Sequence, residues 1–186
     1  MKSEIYFSTD VETDGPSPGL NSMLSLGSVV YNTQFEEIGE FSINLEPRPN
    51  AIQDPYTMKW WDKHPAAWEA ARRNPVASGE AMVAYVKWVR SFPGIPVFVA
   101  SPAVFDWGFV ERYLQLYVGI NPFHFNVIDI DSYAMAMLRL PISSCHKANY
   151  PPHWIPEEKH THIAIEDARE QGKLFMNMFR ENLAMV

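Results

Sequence analysis

The chain has 186 residues, 47% of them apolar and 20% charged, with 15 Lys and Arg against 22 Asp and Glu for a formal charge of −7. That composition excludes a disordered chain and supplies one sizeable core, so a single domain over residues 1–186 is expected. The lone cysteine, Cys145, excludes an intrachain disulfide framework and CxxC sites, and the acidic balance excludes a protein that coats nucleic acid through a basic surface.

Met1-Lys2-Ser3-Glu4 leads straight into strand-like sequence without the apolar core of a signal peptide. No stretch approaches the ~20 apolar residues of a membrane span. A cytoplasmic, unprocessed protein with no membrane partner is expected.

Ile5–Asp10, Leu24–Tyr31 and Phe41–Leu45 are rich in β-branched and aromatic residues and are separated by turn-formers, a pattern that predicts an antiparallel meander. From Asp54 the period becomes helical, with Met58, Trp60, Trp61 and Trp68, interrupted at Pro65 and stopped by Asn74-Pro75. Ser78 suits an N-cap for a helix through Phe92. Pro96–Ala100 predicts a buried strand and Asp106–Val118 a helix; Asn126–Ile130 and Ser132–Leu140 repeat that order. Pro141–Thr161 forms a Pro-rich loop of a length that is unusual unless it covers or builds a site. Ile163–Leu183 predicts a last amphipathic helix. Three antiparallel strands followed by strand-helix alternation predict an α/β fold with a mixed five-stranded sheet flanked by helices.

Three segments carry candidate chemistry. In Asp10-Val11-Glu12-Thr13-Asp14-Gly15, strand alternation points Asp10 and Glu12 the same way, roughly 6 to 7 Å apart at Cα. A solvated strand-to-turn junction explains that cluster equally well. Asp106, in Phe105-Asp106-Trp107, sits where a strand gives way to a helix, and a favourable helix-dipole contact suffices for it alone. In His162-Ile163-Ala164-Ile165-Glu166-Asp167-Ala168, Asp167 adjoins the apolar stripe. It therefore points toward the core and needs a partner, for which a metal ion would serve. Glu166, Arg169 and Glu170 read as ordinary surface charge.

The order Asp-x-Glu after a first strand, Asp at a middle helix, and His-x4-Asp at the last helix resembles the DEDDh family of 3′-5′ exonucleases. That family includes oligoribonuclease, ribonuclease T and proofreading subunits, with ribonuclease AS a further similar type. The resemblance covers residues 5–180. It implies an RNase H-like fold, with Asp10, Glu12, Asp106 and Asp167 as ligands of two divalent ions, Mg²⁺ or Mn²⁺, and His162 as general base. It also implies substrate contacts from the Thr13 backbone and from Met23 and Leu24, with Leu26 assigned to the core. The partner implied is single-stranded nucleic acid with a free 3′ end, RNA ahead of DNA, and a homodimer is a family-level expectation. Two departures stand out: Pro102 occupies a position where relatives often carry Asn, and Ser25 one where many carry an acid.

This residue set suits phosphodiester hydrolysis. The reaction needs an activated water and positive charge around the phosphoryl oxygens, which hard-oxygen-bound ions supply. A histidine of ordinary pKa near 6.5 can accept the water's proton. His160 is a rival base. The pair His160 and His162, with Cys145, His146 and His153, raises a zinc alternative, but these residues lack a compact ligand pattern and lie scattered through the Pro-rich loop. Trp60, Trp61 and Trp68 suit core packing better than base stacking, and Met135, Met137 and Leu138 are expected in the core. Arg72, Arg73, Lys147 and Lys159 are candidate phosphate contacts. A proofreading or repair-type DNA exonuclease and a non-catalytic nucleic-acid-binding module are the competing functions.

Overall fold

The first strand, β1 (Glu4–Thr13), divides the molecule in two through the alternation of its side chains. Ile5, Phe7 and Val11 face one apolar core, and Tyr6 faces the other. β1 pairs antiparallel with β2 (Met23–Tyr31), which in turn pairs antiparallel with β3 (Glu37–Asn44). Two short helices follow, α1 (Pro55–Trp61) and α2 (Pro65–Ala70), then α3 (Ser78–Val89). β4 (Ile95–Ala100) pairs parallel with β1 and leads into α4 (Ala103–Tyr117); β5 (Val127–Asp129) pairs parallel with β4 and runs into α5 (Ile130–Leu138). The last helix is α6 (Ala164–Ala184). The computed structural model describes residues 3–184, so Met1 and Lys2 of the sequence reading lie outside it. The order β3-β2-β1-β4-β5 is the expected mixed five-stranded sheet.

Helices α3 and α4 cover one face with Met82, Tyr85, Val89, Phe109 and Tyr113, while α5 and α6 cover the other with Ala134, Ala168 and Phe175. Leu26 lies in the first core, as expected. Of the methionine group, Met137 and Leu138 are partly buried against the second core, but Met135 is exposed.

Several boundaries differ from the sequence reading for identifiable reasons. Pro65 does interrupt the helical stretch, but as the first residue of α2, where its missing N–H costs nothing. Ser78 is the first helical residue and not the cap; its hydroxyl donates to Glu46 O at 3.2 Å. α4 begins at Ala103, three residues before Asp106, because the Asp129 carboxylate accepts the Ala103 N–H at 2.8 Å. The same carboxylate accepts from Ser132 N at 2.8 Å, so α5 starts at Ile130. α5 stops at Leu138, where Arg139 turns left-handed at φ 56°.

The Pro-rich loop is anchored along its length. Trp154 is 1% exposed in the second core, its indole N–H donating to Glu181, and Tyr150 donates to Asp131 at 2.7 Å. Cys145 is buried there with its thiol against Pro141 O, which removes it from the zinc alternative. The loop then delivers residues 160–162 to the C-terminal end of β1.

Candidate active site

The cleft arises where two strands part. β1 pairs with β4 only as far as Ser8, leaving the backbone of Thr9 to Thr13 without a strand on that side. Side chains take over those groups: the Val11 N–H donates to Asp106 Oδ1 at 3.0 Å, and Gln171 Nε2 donates to Thr9 O at 2.8 Å. Asp106, in the first turn of α4, and Gln171, on α6, are thereby tied to the strand that carries Asp10 and Glu12.

Asp10 and Glu12 share the face turned toward α6, as their spacing requires. α6 comes close because glycines leave room for it. A Cβ on Gly27, the β2 residue opposite Asp10, would lie 2.3 Å from the Ala164 carbonyl carbon. Asp167 therefore enters the cleft. It is 2% exposed, so the inward acid read from the sequence is inward. Its two oxygens accept the N–H groups of Thr161 at 2.7 Å and His162 at 2.8 Å. Asp10, Glu12 and Asp167 bring carboxylate oxygens within 4.8 Å of one another.

Burial and crowding raise the proton affinity of Asp10, Glu12 and Asp106. Asp10 is held well above the usual carboxylate range by burial, then by Asp106, Glu12 and Asp167, with Lys147 opposing. Burial and the same neighbours push Glu12 up to about 9, and burial raises Asp106 to about 7 against the hydrogen bond from Val11. A cluster of this kind either keeps protons or takes up cations.

His162 sits at the lip in a left-handed conformation, φ 61°, uncommon for a residue with a side chain. Its ring lies edge-on to Trp60, centroids 4.6 Å apart, and beside His64 at 4.8 Å and His160 at 4.5 Å. Burial, with His160 and His64, lowers its pKa against the pull of Asp167. His160, the rival base, has Nδ1 3.1 Å from Asp167 Oδ2.

Next to Glu12 is a cavity of about 210 Å³ walled by Thr13, Gly15, Thr57, Trp60, Trp61 and Phe105. Trp61 is buried and donates its indole N–H to Thr13 O at 2.9 Å, so that carbonyl is already engaged. Met23 and Leu24, expected against a terminal base, are fully buried. Apolar surface facing the cavity comes from Trp60, on α1, and Phe105, on α4. Arg72 stacks over Trp68 at 4.7 Å and Arg73 pairs with Glu69.

The structure corrects one charge assignment and adds two features. Glu170 is 3% exposed, not on the surface, and is paired with Lys147 from the Pro-rich loop. Lys147 thus stands by the acids, as a phosphate-contact candidate should. His64 escaped the sequence reading. Its signal is the four-residue spacing from Trp60, which lets Nδ1 donate to Trp60 O at 2.9 Å while the two rings stack at 4.1 Å.

The fold and the sequence have counterparts among known proteins. The chain is 33% identical over 175 residues to the 3′-5′ DNA exonuclease Cap18 of Escherichia coli, covering 92% of this chain and 90% of that protein. Among solved structures it resembles the nuclease domain of 3′hExo, a DEDDh family member, bound to rAMP, with TM-score 0.74, 12% identity and 96% and 93% of the two chains covered. It also resembles E. coli Exonuclease I in complex with a dT13 oligonucleotide, with TM-score 0.67 and 16% identity over 97% of this chain and 41% of that one. Residues 6–179 match the model of the 3′-5′ exoribonuclease Rv2179c-like domain. The chain belongs to that Rv2179c-like family of DEDDh 3′-5′ exonucleases.

Proposed function

We propose that this chain acts as one metal-dependent catalytic unit that removes nucleoside 5′-monophosphates from the 3′ end of single-stranded nucleic acid, RNA ahead of DNA. The observation that carries the reading is the convergence of Asp10, Glu12, Asp106 and Asp167 beside His162. The family description favours RNA, whereas the relative that is 33% identical and named a DNA exonuclease supports DNA as the second reading.

The donor set fits Mg²⁺ or Mn²⁺. All four side chains offer hard oxygen ligands and arrive from three separated segments, and their mutual repulsion calls for positive charge. Asp10, Glu12, Asp106 and Asp167 would hold two such ions. When bound, the ions supply charge stabilisation at the phosphoryl oxygens and a more acidic water.

The remaining work falls to the chain itself. The His162 ring, kept toward its neutral form by burial and by its neighbouring histidines, accepts the proton of the attacking water. Asp167 fixes the backbone leading into that ring by accepting the N–H groups of Thr161 and His162. The cavity beside Glu12 receives the terminal nucleotide, with Trp60 as an apolar wall. Contacts of Thr13, Met23 and Leu24 with substrate belong to the same reading, although the last two would have to emerge from the core. Lys147, whose charge reaches Asp10 and which is paired with Glu170, is the candidate phosphate contact in this reading.

The test is a time course on 5′-labelled RNA and DNA oligomers, single- and double-stranded, with Mg²⁺, Mn²⁺ or EDTA. A one-nucleotide ladder shortening from the 3′ end, faster on single-stranded RNA and abolished by EDTA, is expected. Internal or metal-independent cutting overturns the mechanism, and faster loss of DNA selects the second reading. Light scattering tests the homodimer that the same reading includes.

A further inference from the structure

We propose that His160, His162 and Asp167 form a separate site for Zn²⁺ that shares Asp167 with the carboxylate cluster and binds in place of the catalytic arrangement.

The argument starts from donor chemistry. Imidazole nitrogens favour Zn²⁺ and similar transition ions, whereas Mg²⁺ and Mn²⁺ prefer all-oxygen sets. The cleft contains both kinds of donor side by side. His160, His162 and Asp167 each bring a ligand atom within 4.8 Å of the others. His160 Nδ1 and Asp167 Oδ2 already stand 3.1 Å apart, close to the separation of two ligands about 2 Å from one tetrahedral ion. An ion seated between those two atoms would bind the His160 ring through Nδ1, leaving the Nε2–H free to donate.

The surroundings support such a site. Asp167 is oriented by two backbone N–H groups, the kind of support that fixes a metal ligand. His64, beside His162, is held in place by donating Nδ1–H to the Trp60 carbonyl. Half of the His160 side chain is exposed, so an ion can enter from solvent without opening the fold.

The binding claim is independent of the exonuclease reading, but its consequence rests on it. Zn²⁺ held by the His162 ring and Asp167 removes both the proton acceptor and one of the four acids, so zinc inhibits an enzyme that Mg²⁺ or Mn²⁺ supports.

The experiment is calorimetric titration of Zn²⁺ into the full chain in excess Mg²⁺, with zinc-edge X-ray absorption on the loaded protein. One bound equivalent with imidazole scattering is expected. His160→Ala and His160→Gln, the second of which keeps a donor toward Asp167, should each weaken zinc by about tenfold or more. In Mg²⁺-free buffer, where no second ion competes for Asp167, Glu12→Gln should leave zinc affinity within a few-fold of the unaltered chain. Unchanged affinity in both His160 variants, equal loss in Glu12→Gln, or a spectrum without imidazole ligands overturns the site. Zinc binding as described in a chain that degrades no oligomer leaves this site standing and overturns the exonuclease reading instead.

Discussion

Gly27 lies directly across the β1–β2 pairing from Asp10, and it is the residue that admits the head of α6. The space its missing side chain leaves is filled by the backbone at Ala164 and Ile165, which a Cβ would meet at 2.3 Å. Gly172 repeats the arrangement lower on the helix, where a Cβ would meet Tyr31 at 2.5 Å. The distance between β1 and α6, and with it the approach of Asp167 to Asp10, is therefore set by small residues far apart in sequence.

Gly27→Ala should cost stability and activity together. The obstructing atoms are backbone, which cannot rotate away, so the head of α6 must shift outward. A loss of about 1–3 kcal/mol is expected in denaturant unfolding, with hydrolysis falling at least tenfold because Asp167 and His162 move with the helix. Alanine at full stability and full activity would show that the helix head is not held by this contact.

The carboxylates should trade stability for function in the opposite direction. Near pH 8 Glu12 is ionised in the unfolded chain and protonated in the fold, and Glu12→Gln removes the cost of that proton uptake while keeping the shape. The variant should be inactive, yet in EDTA near pH 8 its melting point should rise by about 2–4 °C, the equivalent of about 1 kcal/mol. Mg²⁺ should stabilise the unaltered chain and barely affect the variant.

Much of this site was legible because its signals are local. Period-two alternation placed Asp10 and Glu12 on one face, and the position of Asp167 beside Ala168 on an apolar stripe marked it as inward. What escaped depends on pairing across the chain. Ser78 met the local rule for an N-cap, but its hydroxyl is bound to Glu46, 32 residues away. The start of α4 is set by Asp129, which lies 26 residues from the N–H it caps. Glu170 occupies a position that reads as surface, and is buried because Lys147, 23 residues earlier, neutralises it. Met23 and Leu24 show the converse: strand pattern alone cannot distinguish a residue that lines a cleft from one sealed beneath it.

His162→Ala should lower the rate by about 10²–10⁴-fold without unfolding the chain, since the backbone N–H to Asp167 is retained. The pH profile of the unaltered enzyme carries a second signature. The base works as the neutral ring, and burial lowers its pKa from 6.5, so the acid-side fall in kcat/KM should centre below pH 6.5. An acid limb centred above 6.5, or a profile unchanged in His162→Ala, would assign the proton to another group.

The pH dependence of folding gives a test that needs no substrate. Glu12 titrates near 4.5 in the unfolded chain and near 9 in the fold, and Asp106 is raised from 3.8 to about 7. Below pH 4.5 Glu12 carries its proton in both states and its contribution is fully present. As pH rises the unfolded chain ionises first, so it binds fewer protons than the fold, and stability falls until Glu12 ionises in the fold near pH 9. In EDTA the melting point should therefore decline from about pH 5 to about pH 9, and saturating Mg²⁺ should remove the decline by supplying the charge that the protons had supplied. The slope should shrink in Glu12→Gln and be untouched by Glu158→Gln, a change at the outer surface where Lys173 holds the carboxyl below its usual range. A metal-free chain whose stability rises across that interval would mean that the four acids are not crowded together in solution.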